Sequence, residues 1–309
     1  MSIITKRIAY GGWDNCLLLT DGLVEAVVTA DVGPRVVCCN FVGEPNLFYE
    51  NPAEMGLTGG DVWRTYGGHR LWPSPETMSR CYYPDNLPIE AETLPNGIHL
   101  RQYIEPNNGI EKEITIILDE KTHEFTVAHH LTNRNNWPVT LAPWALSVMA
   151  NGGVGIVPQF RKADAEGLLP NRWLALWPYT DMNDSRATWG AHYIMLAHDA
   201  RKTNPIKFGL SVPEGWTAYA NAGYLFLKRF SFDPKAVYPD GGMNVEIYAD
   251  AQILELESLG PLQTVCPGAA TTHTEVWSIF RIPGSICTEA DVERLPFPSR
   301  QNCLQIAEE

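Results

Sequence analysis

The segment Tyr66-Gly67-Gly68-His69-Arg70-Leu71-Trp72-Pro73-Ser74-Pro75-Glu76 gathers several reactive side-chain types into one short stretch. A glycine pair lets the backbone turn tightly and approach a ligand. His69 can exchange a proton near neutral pH. Arg70 presents a planar fork to a carboxylate, a phosphate or vicinal hydroxyls, and Glu76 supplies an acceptor. The same groups would also suit a packed loop in which His69 and Arg70 bond neighbouring carbonyls and Glu76 pairs with Arg70. A second segment reads Leu254-Glu255-Leu256-Glu257-Ser258-Leu259-Gly260-Pro261. In a strand, Glu255 and Glu257 share one face while Leu254, Leu256 and Ser258 share the other. Two carboxylates side by side raise each other's pKa, which suits a general base; a solvated face with Lys or Arg partners is the plainer alternative. Residues 271–277, TTHTEVW, alternate His273 and Glu275 onto one face. No HxH or HExxH spacing accompanies them, and His129 and His130 are adjacent, so a strand points those two to opposite faces. An outer-face salt-bridge ladder is expected from residues 271–277, with no metal and no other cofactor. Finally, Trp173, Trp177, Tyr179 and Trp189 are interleaved with Asp181, Asn183, Asp184 and Arg186. Flat aromatic faces stack on the apolar C–H patches of sugars, and carboxylates and amides hold hydroxyls; the same rings could instead anchor a loop to a core.

The elements that must position these groups read as strands. Short apolar or β-branched runs occupy residues 16–20, 24–29, 36–41, 98–104, 111–118, 124–133, 139–149, 192–198, 206–210, 217–220, 224–230, 245–249, 252–258 and 271–281. Asp-Gly, Gly-Pro and other turn residues punctuate them. Only residues 288–294 look helical, with Thr288 as N-cap and Asp291 three residues on. The 23 prolines and 25 glycines fit many turns. The pattern predicts an all-β protein, a large antiparallel sandwich. One domain is expected over 1–290, with 291–309 as a C-terminal tail that packs on it or frays. Residues 51–88 and 168–189 resist strand assignment, and their aromatic content predicts ordered loops over one mouth of the sandwich.

Composition narrows the partners. The chain has 309 residues, of which 45% are hydrophobic and 19% charged, an ordinary globular balance. At this length folding buries roughly 75% of the unfolded surface, so no staple is required. With 23 Lys and Arg against 36 Asp and Glu, the net charge of −13 argues against nucleic acid or an anionic membrane as partner. The start, MSIITKRIAYGGWDN, has no apolar signal-peptide core. No window approaches the ~18 apolar residues of a membrane span. Seven cysteines at irregular spacing, Cys16, Cys38, Cys39, Cys81, Cys266, Cys287 and Cys303, fit small hydrophobes in a reducing cytoplasm.

The stretch LELESLGPLQTVCPGAATTHTEVW, the segment YGGHRLWPSPE and the segment FSFDPKAVYPDGGM together resemble the galactose-mutarotase-like superfamily, over roughly residues 22–281. The resemblance implies a β-supersandwich with a small-molecule carbohydrate bound on one concave sheet face. Aldose 1-epimerases of this superfamily use a carboxylate base on a late strand in a Leu-x-Leu-Glu-Thr-Gln-like context. Leu254-Glu255-Leu256-Glu257-Ser258-Leu259 matches it and places Glu257 at the catalytic position, departing from the pattern at Leu259. The family's acid is a His in an Asn-His-x-Tyr-Phe-Asn motif after the middle Thr-Asn strand. Here Leu131-Thr132-Asn133 leads on to Leu141-Ala142-Pro143-Trp144-Ala145-Leu146-Ser147, which has no His. On this resemblance Glu257 is the base and His69 the replacement acid. Arg70 and Glu76 orient hydroxyls, Trp177 or Trp189 stacks on the sugar, and Tyr179 and Asp181 complete the binding set. Three functions stay open: epimerase-like acid/base chemistry on a hemiacetal, a carbohydrate lyase or glycoside-cleaving enzyme, and a non-catalytic sugar-binding protein.

Overall fold

The computed structural model describes residues 2–161 and 167–295. Among the described residues the strands form two antiparallel sheets. The eleven-stranded sheet runs Ile4–Tyr10, Trp13–Thr20, Val24–Thr29, Arg35–Phe41, Gly68–Ser74, Val139–Met149, Leu254–Leu259, Val245–Ala249, Ile206–Leu210 and Leu174–Leu176, with Gln263–Val265 also pairing Val139–Met149. The ten-stranded sheet runs Ala187–Trp189, Tyr193–Ala197, Val154–Pro158, Trp216–Asn221, Tyr224–Phe230, Ala270–Arg281, Phe125–Asn133, Ile110–Leu118, Gly97–Arg101 and Glu90–Leu94. The main core lies between them. Leu71, Met149, Phe208, Leu254 and Leu256 meet Ile114, Val127, Phe226 and Trp277 there, excluding water from both inner faces.

The expected strands are present, with ends moved by up to three residues. The expectation of an irregular 51–88 is corrected by the Gly68–Ser74 strand and the short helix Met78–Cys81, and that of 168–189 by the short strands Leu174–Leu176 and Ala187–Trp189; the Gly68–Ser74 strand matters most. All seven of its residues are buried, so its sequence shows no in-out alternation, and Pro73 argues against a central strand. Pro73 is tolerated near the end of the pairing, opposite Pro143. Gly67 and Gly68 have φ of +105° and +69°. A Cβ on Gly67 would lie 1.9 Å from the Tyr49 carbonyl oxygen, and one on Gly68 2.3 Å from that of Val36. The glycine pair thus serves the close approach of chain to chain.

The C-terminal helix forms as expected. Thr288 caps Glu289–Glu293 in a reciprocal capping box with Asp291, and Val292 is buried with Ile156 and Tyr193. Leu295 packs against the same cluster, and residues 296–309 of the expected tail lie outside the described residues. Among the described residues no helix is long and apolar enough to cross a membrane.

One polar network crosses the core. His273 and Glu275 point inward, which corrects the expected outer-face ladder; Thr272 and Thr274 take the exposed side. The Lys228 ammonium, fully buried, pairs with Glu275 at 3.0 Å and donates to the carbonyls of Leu256 and Ala145. Trp277 Nε1 and the Ser258 hydroxyl also donate to Glu275. His129 Nδ1 lies 2.9 Å from the His273 carbonyl and must donate to it, since a carbonyl only accepts. His129 Nε2 is then the acceptor for His69 Nε2–H at 2.7 Å, and His69 Nδ1 accepts from Ser147 at 2.8 Å. Ligand atoms of His69, His129 and Glu275 lie within 4.8 Å of one another. Yet two nitrogens on one tetrahedral ion would stand roughly 3.4 Å apart, given bonds of about 2.0–2.1 Å. The 2.7 Å approach is that of a hydrogen bond. Lys228→Met leaves the Glu275 carboxylate buried without its cation and is expected to cost about 3–5 kcal/mol. Equilibrium urea unfolding measures it, and adding Glu275→Gln should recover part of the loss; an unchanged midpoint in the single variant would contradict the coupling.

Candidate functional site

The outer face of the eleven-stranded sheet carries a second set of buried charges. Strand alternation sends His69 and Leu71 into the sandwich and Arg70 and Trp72 outward. The register then aligns the outward groups: Trp72 opposite Trp144, Arg70 opposite Leu146, Leu146 opposite Glu257, Glu257 opposite Glu246 and Glu255 opposite Tyr248. Lys207 reaches in from the neighbouring Ile206–Leu210 strand.

Arg70 Nη2 donates to Glu255 Oε1 at 2.8 Å, and its guanidinium lies over the rings of Trp72 and Trp63 at 4.5 and 5.4 Å. Trp144 Nε1 donates to Glu257 Oε2 at 2.8 Å. Lys207 Nζ lies 2.9 Å from the same oxygen and 2.8 Å from Glu246 Oε2. The ammonium is held between the indoles of Trp144 and Trp177, at 4.5 and 4.7 Å. Tyr82 packs against Trp72 and Trp63 and donates to Glu76. Several buried polar atoms here have no hydrogen-bond partner: Arg70 Nε and Nη1, Trp63 Nε1, Glu257 Oε1 and both carboxylate oxygens of Glu246, whose contact with Lys207 is an ion pair. Donors and acceptors left open together match a ligand that offers both, as a ring of hydroxyls does.

Burial sets the electrostatics. It pushes the Glu257 carboxyl up, against the pull of Lys207, and Glu255 adds to the rise. It pushes Glu246 well above the usual carboxylate range. Burial alone would lower the Lys207 ammonium, but Glu257 and Glu246 outweigh it and leave Lys207 raised and charged. The Tyr179 phenol is pushed up to about 12, by burial first.

The structure brings together Glu257, Arg70 and Trp177. Glu76 joins them through Tyr82, and Tyr179, 43% exposed, sits at the rim within the fields of Lys207 and Glu257. Three expected residues fall elsewhere. His69 is on the reverse face, fully buried and committed to Ser147 and His129, so it cannot act with Glu257 across the sheet. Trp189 belongs to the ten-stranded sheet; its ring packs on Phe208, the core-facing neighbour of Lys207, and its Nε1 donates to Met182. Asp181 accepts from the backbone and side chain of Asn183 within its own exposed turn. Sequence reasoning missed Lys207, Glu246, Trp144, Trp72 and Trp63. Two of these had a readable signal, a single charge between core-facing neighbours in Ile206-Lys207-Phe208 and Val245-Glu246-Ile247.

No protein-family model and no curated protein matches the sequence. Solved structures do match. A TPR-domain containing protein from Parabacteroides distasonis aligns over 92% of this chain and 49% of its own, at a TM-score of 0.61 and 13% identity. A galactose mutarotase-like protein from Clostridium acetobutylicum aligns over 91% of this chain and 99% of its own, at 0.51 and 11%. A galactose mutarotase related enzyme from Lactobacillus acidophilus aligns over 88% and 99%, at 0.51 and 9%. The fold is galactose mutarotase-like. At such identities a galactose mutarotase-like fold fixes the strand order and leaves the chemistry to the side chains in place.

On the reverse of the site, burial holds His69, His129 and His273 below the ordinary imidazole value, His273 at about 3. In the unfolded chain each titrates near about 6.5. Below that pH the unfolded state binds more protons, so the stability from these imidazoles is present above about 6.5 and lost as pH falls toward their folded values. Glu246 and Glu257, raised in the fold, offset part of this slope. The urea midpoint should therefore fall between about pH 7 and pH 5, and more steeply in Glu246→Gln, which removes part of the opposing carboxyl contribution; a midpoint that stays flat or rises in that variant too would contradict the neutral buried imidazoles.

Proposed function

We propose that the outer face of the eleven-stranded sheet binds a small carbohydrate and performs acid/base chemistry on its hemiacetal, with Glu257 as the general base. The observation that carries this reading is the state of Glu257. It is fully buried, oriented by Trp144 and Lys207 through one oxygen, and has the other oxygen without a partner, on the same sheet face as the unpaired N–H groups of Arg70. A base must be fixed in place, dry and left with one uncommitted oxygen, and Glu257 meets those conditions. Arg70 would hold hydroxyls with its free N–H groups, pinned by Glu255. The rings of Trp63, Trp72, Trp144 and Trp177 would give the sugar's C–H faces flat partners. The galactose mutarotase-like fold agrees with this use.

In mutarotation the base takes the anomeric hydroxyl proton while an acid protonates the ring oxygen. The ring opens, the carbonyl carbon turns, and closure from the other side gives the second anomer. A non-catalytic sugar-binding protein is the rival reading, favoured by one fact: among the described residues no histidine is placed with Glu257.

Anomer exchange followed by NMR over a panel of free and phosphorylated aldoses separates the two. Wild type should accelerate exchange, and Glu257→Gln should lose roughly 10²–10⁴-fold in kcat with its thermal stability retained. Line broadening without acceleration would make it a binding protein. Full rate in the variant would remove Glu257 from the mechanism.

A further inference from the structure

Buried charge on the outer face does not balance. Arg70 is committed to Glu255, and on the inner face Lys228 is committed to Glu275. That leaves one ammonium, Lys207, against two carboxylates, Glu246 and Glu257, at 2.8 and 2.9 Å. The two glutamates are directly opposed on neighbouring strands, and both are completely buried. An uncompensated charge in so dry a place is expensive, and a buried carboxylate escapes the cost by taking a proton. One proton makes the trio neutral.

Its position follows from the donors. Glu257 receives both Trp144 Nε1–H and Lys207 and is held in its ionised form, whereas Glu246 has only the Lys207 ion pair at 2.8 Å and neither of its oxygens has a well-formed hydrogen bond. The charged groups around Glu246 are Lys207 from the Ile206–Leu210 strand, Glu257 from the Leu254–Leu259 strand and Asp240 from the turn before its own strand. Two of the three are anionic and favour the protonated form.

We propose that Glu246 carries this shared proton at neutral pH and is the general acid that works with Glu257. The assignment rests on the sugar-hemiacetal reading and supplies the acid that His69 cannot. With an anomeric centre lying over Lys207, the Glu257 carboxylate takes the proton of the anomeric hydroxyl and the Glu246 carboxyl gives its proton to the ring oxygen. The bond between the anomeric carbon and the ring oxygen breaks, its electron pair going to that oxygen, and the carbonyl forms. On closure the ring-forming hydroxyl returns its proton to Glu246, and Glu257 returns the other to the anomeric oxygen. Nothing is oxidised or reduced.

Two measurements on the intact protein test this. Infrared difference spectroscopy with ¹³C-labelled glutamate should show a protonated-carboxyl C=O stretch at neutral pH. Because the proton belongs to the pair, Glu246→Gln and Glu257→Gln should each abolish the band. A wild type without it, or a band that survives in Glu246→Gln, overturns the shared proton. In anomer exchange, Glu246→Gln should lose roughly 10²–10⁴-fold in kcat with KM little changed. The alkaline limb of the kcat–pH profile should vanish with it, and Glu246→Asp should restore part of the rate with that limb displaced. Wild-type rate and pH profile in Glu246→Gln overturn the acid role while leaving Glu257 as base. A wild type that accelerates no aldose overturns the acid role together with the hemiacetal reading, and the infrared band then decides the shared proton on its own.

Discussion

The central strands of the eleven-stranded sheet are covered on both faces, so every charge they carry must be compensated where it stands. A single buried charge left alone costs several kcal/mol. Period-two alternation decides which compensation each charge receives. In Leu254–Leu259, Glu255 and Glu257 go outward to Arg70 and Lys207, while Ser258 goes inward to Glu275 and His273. A slip of one residue would turn the glutamates into the core and the leucines out, and would break both networks at once. The charged groups therefore help to fix the register that the apolar core alone leaves less sharply defined.

This also explains what the sequence shows and what it hides. Alternation across 254–259 is visible as Leu-Glu-Leu-Glu, so the face of Glu257 follows from spacing alone. The faces of His69 and Arg70 do not, because the Gly68–Ser74 strand is buried on both sides and lies between glycines and prolines that read as a loop. Adjacent residues of a strand must diverge, and once those residues are known to be a strand, His69 and Arg70 cannot share a site. Trp189 and Trp177 show a related limit. They are close in sequence but belong to opposite sheets or their edges, and only the pairing of Ala187–Trp189 with Tyr193–Ala197 reveals it. Lys207 and Glu246 are distant in sequence, and no local pattern couples them.

Trp144 connects this chain to the missing histidine. The segment 141–147 carries no residue able to transfer a proton from a ring nitrogen, yet it sends an indole N–H to Glu257. An indole N–H donates a hydrogen bond and has no lone pair to take up a proton at neutral pH. It can orient a base but cannot serve as its acid. On the proposed reading the geometry of the base is kept and the acid function falls to another strand, and the strand that directly faces Glu257 is the one carrying Glu246.

Access to the site depends on its cover. Glu257 has no exposed surface, so on the proposed reading a sugar would reach it only when the groups above it move. Those groups include Trp177, which closes over Lys207 and follows the short edge strand Leu174–Leu176. Leu174, Leu176 and Tyr179 are exposed, and this strand pairs on one side only, with Ile206–Leu210. An edge element with so few buried contacts opens at far lower cost than the sheet beneath it. The charged floor and the aromatic cover thus belong to parts of the fold with different stabilities. The floor is rigid because its charges compensate one another inside the sheet, and the cover can yield because little of its own surface is buried.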